Sequence, residues 1–118
     1  MKTTITERAV GGVCVLDIGG SITGDPGSAE RLSDKVRSLL QQGEKRLVLN
    51  LGGVSYVDSA GLGELVSAYT TAARQGGSVK LLNVTKRLND LLVITKLATV
   101  FESFDSEAAV VNSFTAQV

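Results

Sequence analysis

The segment Tyr56-Val57-Asp58-Ser59-Ala60-Gly61-Leu62-Gly63-Glu64 concentrates the chemistry of this chain. An acid and a hydroxyl arrive together where an apolar run gives way to a helical pattern, and two glycines fall in the first helical turns. A helix start exposes unpaired N–H groups and the positive end of the helix dipole, so it favours an anion. Two readings follow. In one, Asp58 or Ser59 is the N-cap of the helix. In the other, Ser59 is presented for phosphorylation. Gly61 and Gly63 each cost about 0.5–1 kcal/mol against alanine inside a helix, so something near the turn needs bare backbone. Tight helix–strand packing and an approaching partner meet that need equally well.

Ser59 has no obvious base to make it a nucleophile. The chain contains no histidine, and no G-x-S-x-G elbow surrounds Ser59. A phosphate there would add about −1.5 to −2 charge, partly satisfied by the helix start but set against Asp58. Facing an acidic or tightly packed partner surface, it would be repelled by about several kcal/mol. Every 1.4 kcal/mol is about tenfold in affinity, which is ample for an on/off switch.

A second polar segment, Gly19-Gly20-Ser21-Ile22-Thr23-Gly24-Asp25-Pro26-Gly27, has the outline of a phosphate loop. Asp25-Pro26 stands where a Walker pattern needs Lys-Ser/Thr, so nucleotide hydrolysis is excluded and a turn feeding a helix is expected. Placed beside Ser59, this loop can still share a docking surface through Thr23 and Asp25. Asp17, Asp25, Asp58 and Asp105 match no EF-hand spacing, and one cysteine without histidine assembles no transition-metal set, so no metal or other cofactor is expected. Lys and Arg number 12 against 12 Asp and Glu, scattered, which leaves no electrostatic footprint for nucleic acid or an anionic membrane. Cys14 lies in an apolar run as a small core residue, and the absence of a disulfide framework fits a reducing compartment. With no apolar leader at the N-terminus and no run long enough to span a bilayer, the expected location is the cytoplasm.

The elements that must position these groups are legible from periodicity. The 118 residues read as one domain over 1–118, with one core of two packed layers. Residues up to Thr23 form an opening pair of strands turned at Gly11-Gly12, with a break or bulge at Gly19-Gly20. Asp25-Pro26 starts a first helix that runs to about Gln42 on the stripe Leu32, Val36, Leu39 and Leu40, and Gly43 ends it. Leu47 to Leu51 is a central strand covered on both faces, followed by a turn at Gly52-Gly53. A second helix carries Leu62, Leu65, Val66, Tyr69, Ala72 and Ala73 and closes at Gly76-Gly77. Val79 to Leu82 is a strand, and Val84, Leu88, Leu91, Leu92 and Thr95 stripe a third helix. Phe101 to Phe104 is a short extended edge, and a last helix from about Ser106 to Phe114 docks through Val110 and Phe114. The order ββαβαβαβα implies a largely parallel α/β sheet with an antiparallel pair at its start, and sites at the carboxyl ends of strands.

At Asp58-Ser59-Ala60-Gly61-Leu62-Gly63 the chain resembles the STAS domain family, specifically the stand-alone bacterial anti-sigma factor antagonists. The resemblance extends over nearly the whole chain, through the strand Leu47 to Leu51, the run Val54 to Val57, the strand Gly76 to Leu81, and Leu88, Leu91, Thr95, Leu97, Phe101 and Phe104. It implies a STAS-like βα sandwich with a mixed sheet of four to five strands and about four helices. It further implies a non-enzymatic, phosphorylation-switched binding protein. A serine kinase that is also an anti-sigma factor would bind the unphosphorylated form, releasing a sigma factor, and would phosphorylate Ser59; a PP2C-type phosphatase would restore the active form. By the same resemblance Asp58 supports the turn and contacts the kinase, while Gly61 and Leu62 let the helix start approach it. Two departures stand out. Ala60 occupies a position that is often Ser or Thr in the family, which removes an alternative acceptor, and Thr23 stands where some members carry an acid. Other readings remain open: a STAS interaction subunit of a stressosome-like or lipid-transport assembly, and an enzyme or small-ligand carrier at the same strand ends. Monomer and weak dimer are both compatible with the sequence.

Overall fold

A computed structural model of the chain describes residues 3–23 and 32–115. Among the described residues, nine elements follow in the order expected from periodicity: β1 (Thr3–Val10), β2 (Val13–Ile22), α1 (Leu32–Gln41), β3 (Arg46–Val57), α2 (Ser59–Arg74), β4 (Ser78–Leu82), α3 (Lys86–Ile94), β5 (Ser103–Phe104) and α4 (Glu107–Thr115). The helix start at Asp25-Pro26 and the loop from Gly24 to Ser28 lie outside the described residues. β1 and β2 pair antiparallel across Gly11 and Gly12, whose φ angles of 55° and 79° suit the primed turn of a two-residue hairpin. The other pairings are parallel, and the sheet order is β1-β2-β3-β4-β5.

Alternation along the strands divides the side chains between two faces. Cys14, Leu16 and Ile18 of β2, Leu47, Leu49 and Leu51 of β3, and Val79 and Leu81 of β4 meet the apolar stripes of α1, α2 and α3. Val13, Val15, Val48 and Leu82 point the other way and are covered by Val110 and Phe114 of α4. The fold therefore has three layers, and the two-layer expectation is corrected. The reason is visible in β3, whose unbroken apolar run is viable only with both faces covered. Lys80 of β4 is buried beneath α4, and its charge is matched locally. Its Nζ donates to Ser113 Oγ at 2.9 Å, lies 3.5 Å from Glu102, and sits 4.5 Å from the centre of the Phe114 ring. Cys14 is buried in the larger core, and burial pushes its thiol pKa up to about 11.

A second correction concerns Gly52-Gly53. No turn forms there, and β3 runs on to Val57. A methyl group at Gly53 would lie 3.2 Å from the Ile18 carbonyl oxygen, so the glycine lets β3 pass close to β2 where their register shifts beside Gly19 and Gly20. The irregularity expected at Gly19-Gly20 is this bulge. It lets β2 and β3 continue side by side to Ile22 and Val57, which are paired at the carboxyl end of the sheet.

Candidate functional site

The two paired strands deliver their ends to one place. Asp58 follows β3 with extended backbone, φ −95° and ψ −177°, and caps α2. Its Oδ1 accepts the Gly61 N–H at 2.6 Å, and its carbonyl accepts the Leu62 N–H at 2.9 Å. The Asp58 N–H in turn donates to the Ile22 carbonyl at 3.4 Å, which ties the cap to the end of β2. Of the two cap candidates, Asp58 takes the structural role. Ser59 becomes the first residue of α2 and is exposed, as is Ala60.

The two glycines separate in function. A methyl group on Gly61 would stand 1.8 Å from the Ile22 carbonyl oxygen and 2.5 Å from its carbon, both backbone atoms. Tight packing of α2 on β2 therefore explains Gly61 fully. A methyl group on Gly63 meets nothing within 4 Å among the described residues, so no contact among them explains that residue. Ser59 and Gly63 are four apart on the helix and share a face. The Ser59 hydroxyl thus stands beside a stretch of exposed helix backbone.

The residues singled out in the sequence fall into three groups. Thr23, Asp58, Ser59, Ala60 and Gly61 come together, with the Thr23 nitrogen 3.1 Å from the position a Gly61 methyl would take. Leu62 turns inward and is buried in the larger core, so it holds the turn from beneath. Asp25 lies outside the described residues. Glu64, one turn further along α2, received no role from its sequence position. Its carboxylate accepts from the Ser33 hydroxyl at 3.0 Å and from the Ser33 N–H at 3.4 Å, so α2 caps the start of α1 across the packed pair. Ser33 is buried, so this bond fixes the neighbouring helix from the site's own helix.

Sequence reasoning also missed what flanks the turn. Tyr56 and Val57, the two residues before Asp58, line one side of a groove of about 300 Å³ whose other side is Leu88, Leu91 and Ile94 of α3. α3 is set in place by its own cap, Thr85 Oγ1 accepting the Leu88 N–H at 3.3 Å. The available signal was Val93-Ile94, two large apolar residues lying off the stripe that α3 buries; Val93 and Ile94 are 57% and 77% exposed. Among the described residues no cluster of three or more Cys, Asp or Glu side chains has the placement to hold a metal ion, and no helix is long and apolar enough to cross a membrane.

Comparison with known proteins gives a concordant set. The family model described as the STAS domain matches residues 4–110. The Anti-sigma-B factor antagonist of Bacillus subtilis (strain 168) is 41% identical over 96 residues, 80% of this chain and 85% of that protein. An anti-sigma factor antagonist from Mycobacterium paratuberculosis shares the fold with a TM-score of 0.78 at 20% identity, covering 94% of this chain and 92% of the other. The Bacillus cell fate determinant SpoIIAA in its phosphorylated form does so with a TM-score of 0.68 at 17% identity, covering 91% and 96%.

Proposed function

The chain belongs to the STAS domain family, and from that premise we propose that it is an anti-sigma factor antagonist switched by phosphorylation of Ser59. The unphosphorylated form binds a serine kinase that is also an anti-sigma factor, and this binding frees a sigma factor. The kinase transfers the γ-phosphoryl group of ATP to Ser59 Oγ, releasing ADP and the hydroxyl proton, and the modified form dissociates. A PP2C-type phosphatase hydrolyses the ester with water and returns the hydroxyl. The chain itself catalyses nothing in this cycle: it is acceptor and ligand, with Thr23, Asp25, Asp58, Ala60, Gly61 and Leu62 forming or supporting the contact surface. The cycle belongs to the cytoplasm, where sigma factors act.

The observation that carries this reading is the division of labour at the turn. Asp58 supplies the cap, so the exposed Ser59 hydroxyl is not needed to hold α2, and the helix face one turn on is bare at Gly63. Modification then changes charge without dismantling the fold. The phosphate gains from the N-terminal dipole of α2 while presenting about −1.5 to −2 charge outward beside Asp58. A partner surface matched to a neutral serine loses affinity by about tenfold for every 1.4 kcal/mol of mismatch. The Bacillus subtilis relative is by name an antagonist of an anti-sigma factor, and SpoIIAA exists in a phosphorylated form; both support the reading.

Mass spectrometry of the protein isolated from its native cells, with and without PP2C-type phosphatase, tests the first half. One phosphatase-sensitive phosphate on Ser59 is expected. Ser59→Asp tests the second half: kinase affinity should fall by about a hundredfold or more, which is about 2.7 kcal/mol, with Tm unchanged to within a few degrees. An unmodified Ser59 across several growth conditions, together with equal binding of the parent and Ser59→Asp, would refute the switch in favour of a constitutive scaffold or transport subunit.

A further inference from the structure

The two edges of the sheet are finished differently. On one side β5 is two residues long and covers only Leu81 and Leu82 of β4. A very short edge strand is one device that keeps a sheet from pairing with another chain. On the other side β1 runs for eight residues without proline or glycine, and its register with β2 is unbroken from Thr3 opposite Gly20 to Val10 opposite Val13. Its two charges are drawn back onto the chain itself: Glu7 lies 3.0 Å from Lys35 of α1, and Arg8 is held by Asp17 and Glu107. Among the described residues no strand pairs with the outer edge of β1, and Thr4, Thr6, Glu7 and Ala9 are exposed.

The hairpin fixes which backbone groups face outward. A two-residue turn bonds the residues that flank it, so Val10 and Val13 form a hydrogen-bonded pair. Alternation then commits the backbone of Arg8, Thr6 and Thr4 to β2 and aims the N–H and C=O groups of Thr3, Ile5, Glu7 and Ala9 away from it. That open set is symmetric about Thr6. When two such edges meet antiparallel across a two-fold axis at Thr6, Ile5 of each copy falls opposite Glu7 of the other, and Thr3 opposite Ala9. Every outward residue of both copies then has a bonding partner. Charge agrees with this register, since Glu7 faces Ile5, Arg8 faces Thr4 and no like charges stand directly opposite. A shift of one pleat either way is poorer: one direction sets Glu7 against Glu7 and strands Thr3, and the other strands Ala9.

We propose that β1 is a self-pairing edge: a second copy of this chain adds to it antiparallel about Thr6, joining the two sheets into one with five strands from each copy. The copies run in opposite directions, so their Ser59 turns lie at opposite ends of the joined sheet. The turn follows β3, two strands in from the paired edge, and stays open in both copies. Resting on one strand from each copy, the dimer is weak and depends on concentration. None of this depends on the role of Ser59.

The test uses the full chain alone. Sedimentation equilibrium at loadings up to about 1 mM should show a monomer–dimer equilibrium. Glu7→Pro removes an outward N–H that the fold itself does not use, at an edge position where proline is tolerated, and should raise the dimer Kd by about tenfold or more. Its far-ultraviolet circular dichroism should match the parent's. Cysteine cross-linking reads the register and does not rely on that variant folding. Cys14 is buried, so an introduced thiol is the accessible one. At the two-fold axis a Thr6→Cys pair would have its Cα atoms about 4.5 Å apart, within disulfide reach, whereas a Thr4→Cys pair would be about 13 Å apart. With oxidised glutathione as oxidant, Thr6→Cys should form the covalent dimer about tenfold faster than Thr4→Cys or better. A chain that is monomeric at every loading overturns the proposal and leaves the edge to another protein's strand or to solvent. So does a dimer that Glu7→Pro leaves intact, or one in which Thr4→Cys cross-links as fast as Thr6→Cys, because either result places the contact elsewhere.

Discussion

Two of the polar centres among the described residues, the Ser59 turn and the Arg8 cluster, are built on opposite plans. At the Ser59 turn a single carboxylate makes one short cap bond and the neighbouring hydroxyl faces solvent. On the other face, four side chains satisfy one another. Arg8 bonds Asp17 through Nε at 2.5 Å and Nη2 at 3.1 Å and reaches Glu107 of α4 at 2.6 Å, while Asn50 donates to Asp17 at 2.7 Å. The denser cluster has more charge and better geometry, yet its groups are spent on each other: they pin the start of α4 to β1 and β2. The sparser turn leaves its chemistry outward. In this fold the dense polar cluster serves structure, and under the proposed reading the exposed hydroxyl on a well-capped helix is the acceptor.

The largest perturbation of that contrast comes from Gly61→Ala. The added methyl collides with the Ile22 backbone, which no side-chain motion relieves, so α2 must shift away from β2. A loss of about 3 kcal/mol or more is expected, read as a fall in the denaturant midpoint. If Ser59 is the acceptor as proposed, its phosphorylation should fall along with stability, because the geometry of the turn rests on this contact.

Asp17→Asn attacks the other centre. Arg8 foremost, and Asn50 after it, hold the Asp17 carboxyl below the usual carboxylate range by hydrogen bonding. Because the folded pKa lies below the unfolded value of about 3.9, the stabilisation is complete above that value and is lost as the pH falls through the folded pKa. The substitution should cost about 1 kcal/mol at neutral pH, the pair being partly exposed. In urea titrations the gap between variant and parent should narrow below about pH 4, and phosphorylation of Ser59 should be untouched. A gap independent of pH would contradict the role given to this carboxylate.

Gly63→Ala is the smallest and the most discriminating. With nothing among the described residues within 4 Å of the added methyl and ordinary helical backbone, the change should raise stability by about 0.5–1 kcal/mol. The same methyl stands on the Ser59 face, so kinase affinity should fall while the melting temperature rises. A variant that gains stability and loses nothing in binding would show that the bare backbone at Gly63 serves no partner.

How much of this was legible depended on the range of the interaction responsible. The Asp58-Ser59 turn was readable because capping is local: donor and acceptor are three residues apart. The element order was readable because the apolar stripes of α1 to α3 keep a helical period. Gly61 was readable only as a cost, since its cause, the Ile22 carbonyl, lies on another strand far away in sequence. Gly52-Gly53 was misread for the same reason. Two adjacent glycines look like a turn until the register shift of β2 shows that Gly53 allows close backbone approach. The α3 groove needed two elements to be seen together, and only Val93-Ile94, apolar on the wrong side of the helix, hinted at it.

The contact between Gly61 and Ile22 bears on the entropy of association. Fixing one residue's backbone costs about 1–2 kcal/mol, and a flexible recognition loop incurs that cost each time it binds. Here the backbone that carries Ser59 is already immobilised by the strand beneath it, so the ordering is completed when the chain folds. Under the proposed switch, each cycle of docking and release would begin from a preorganised surface.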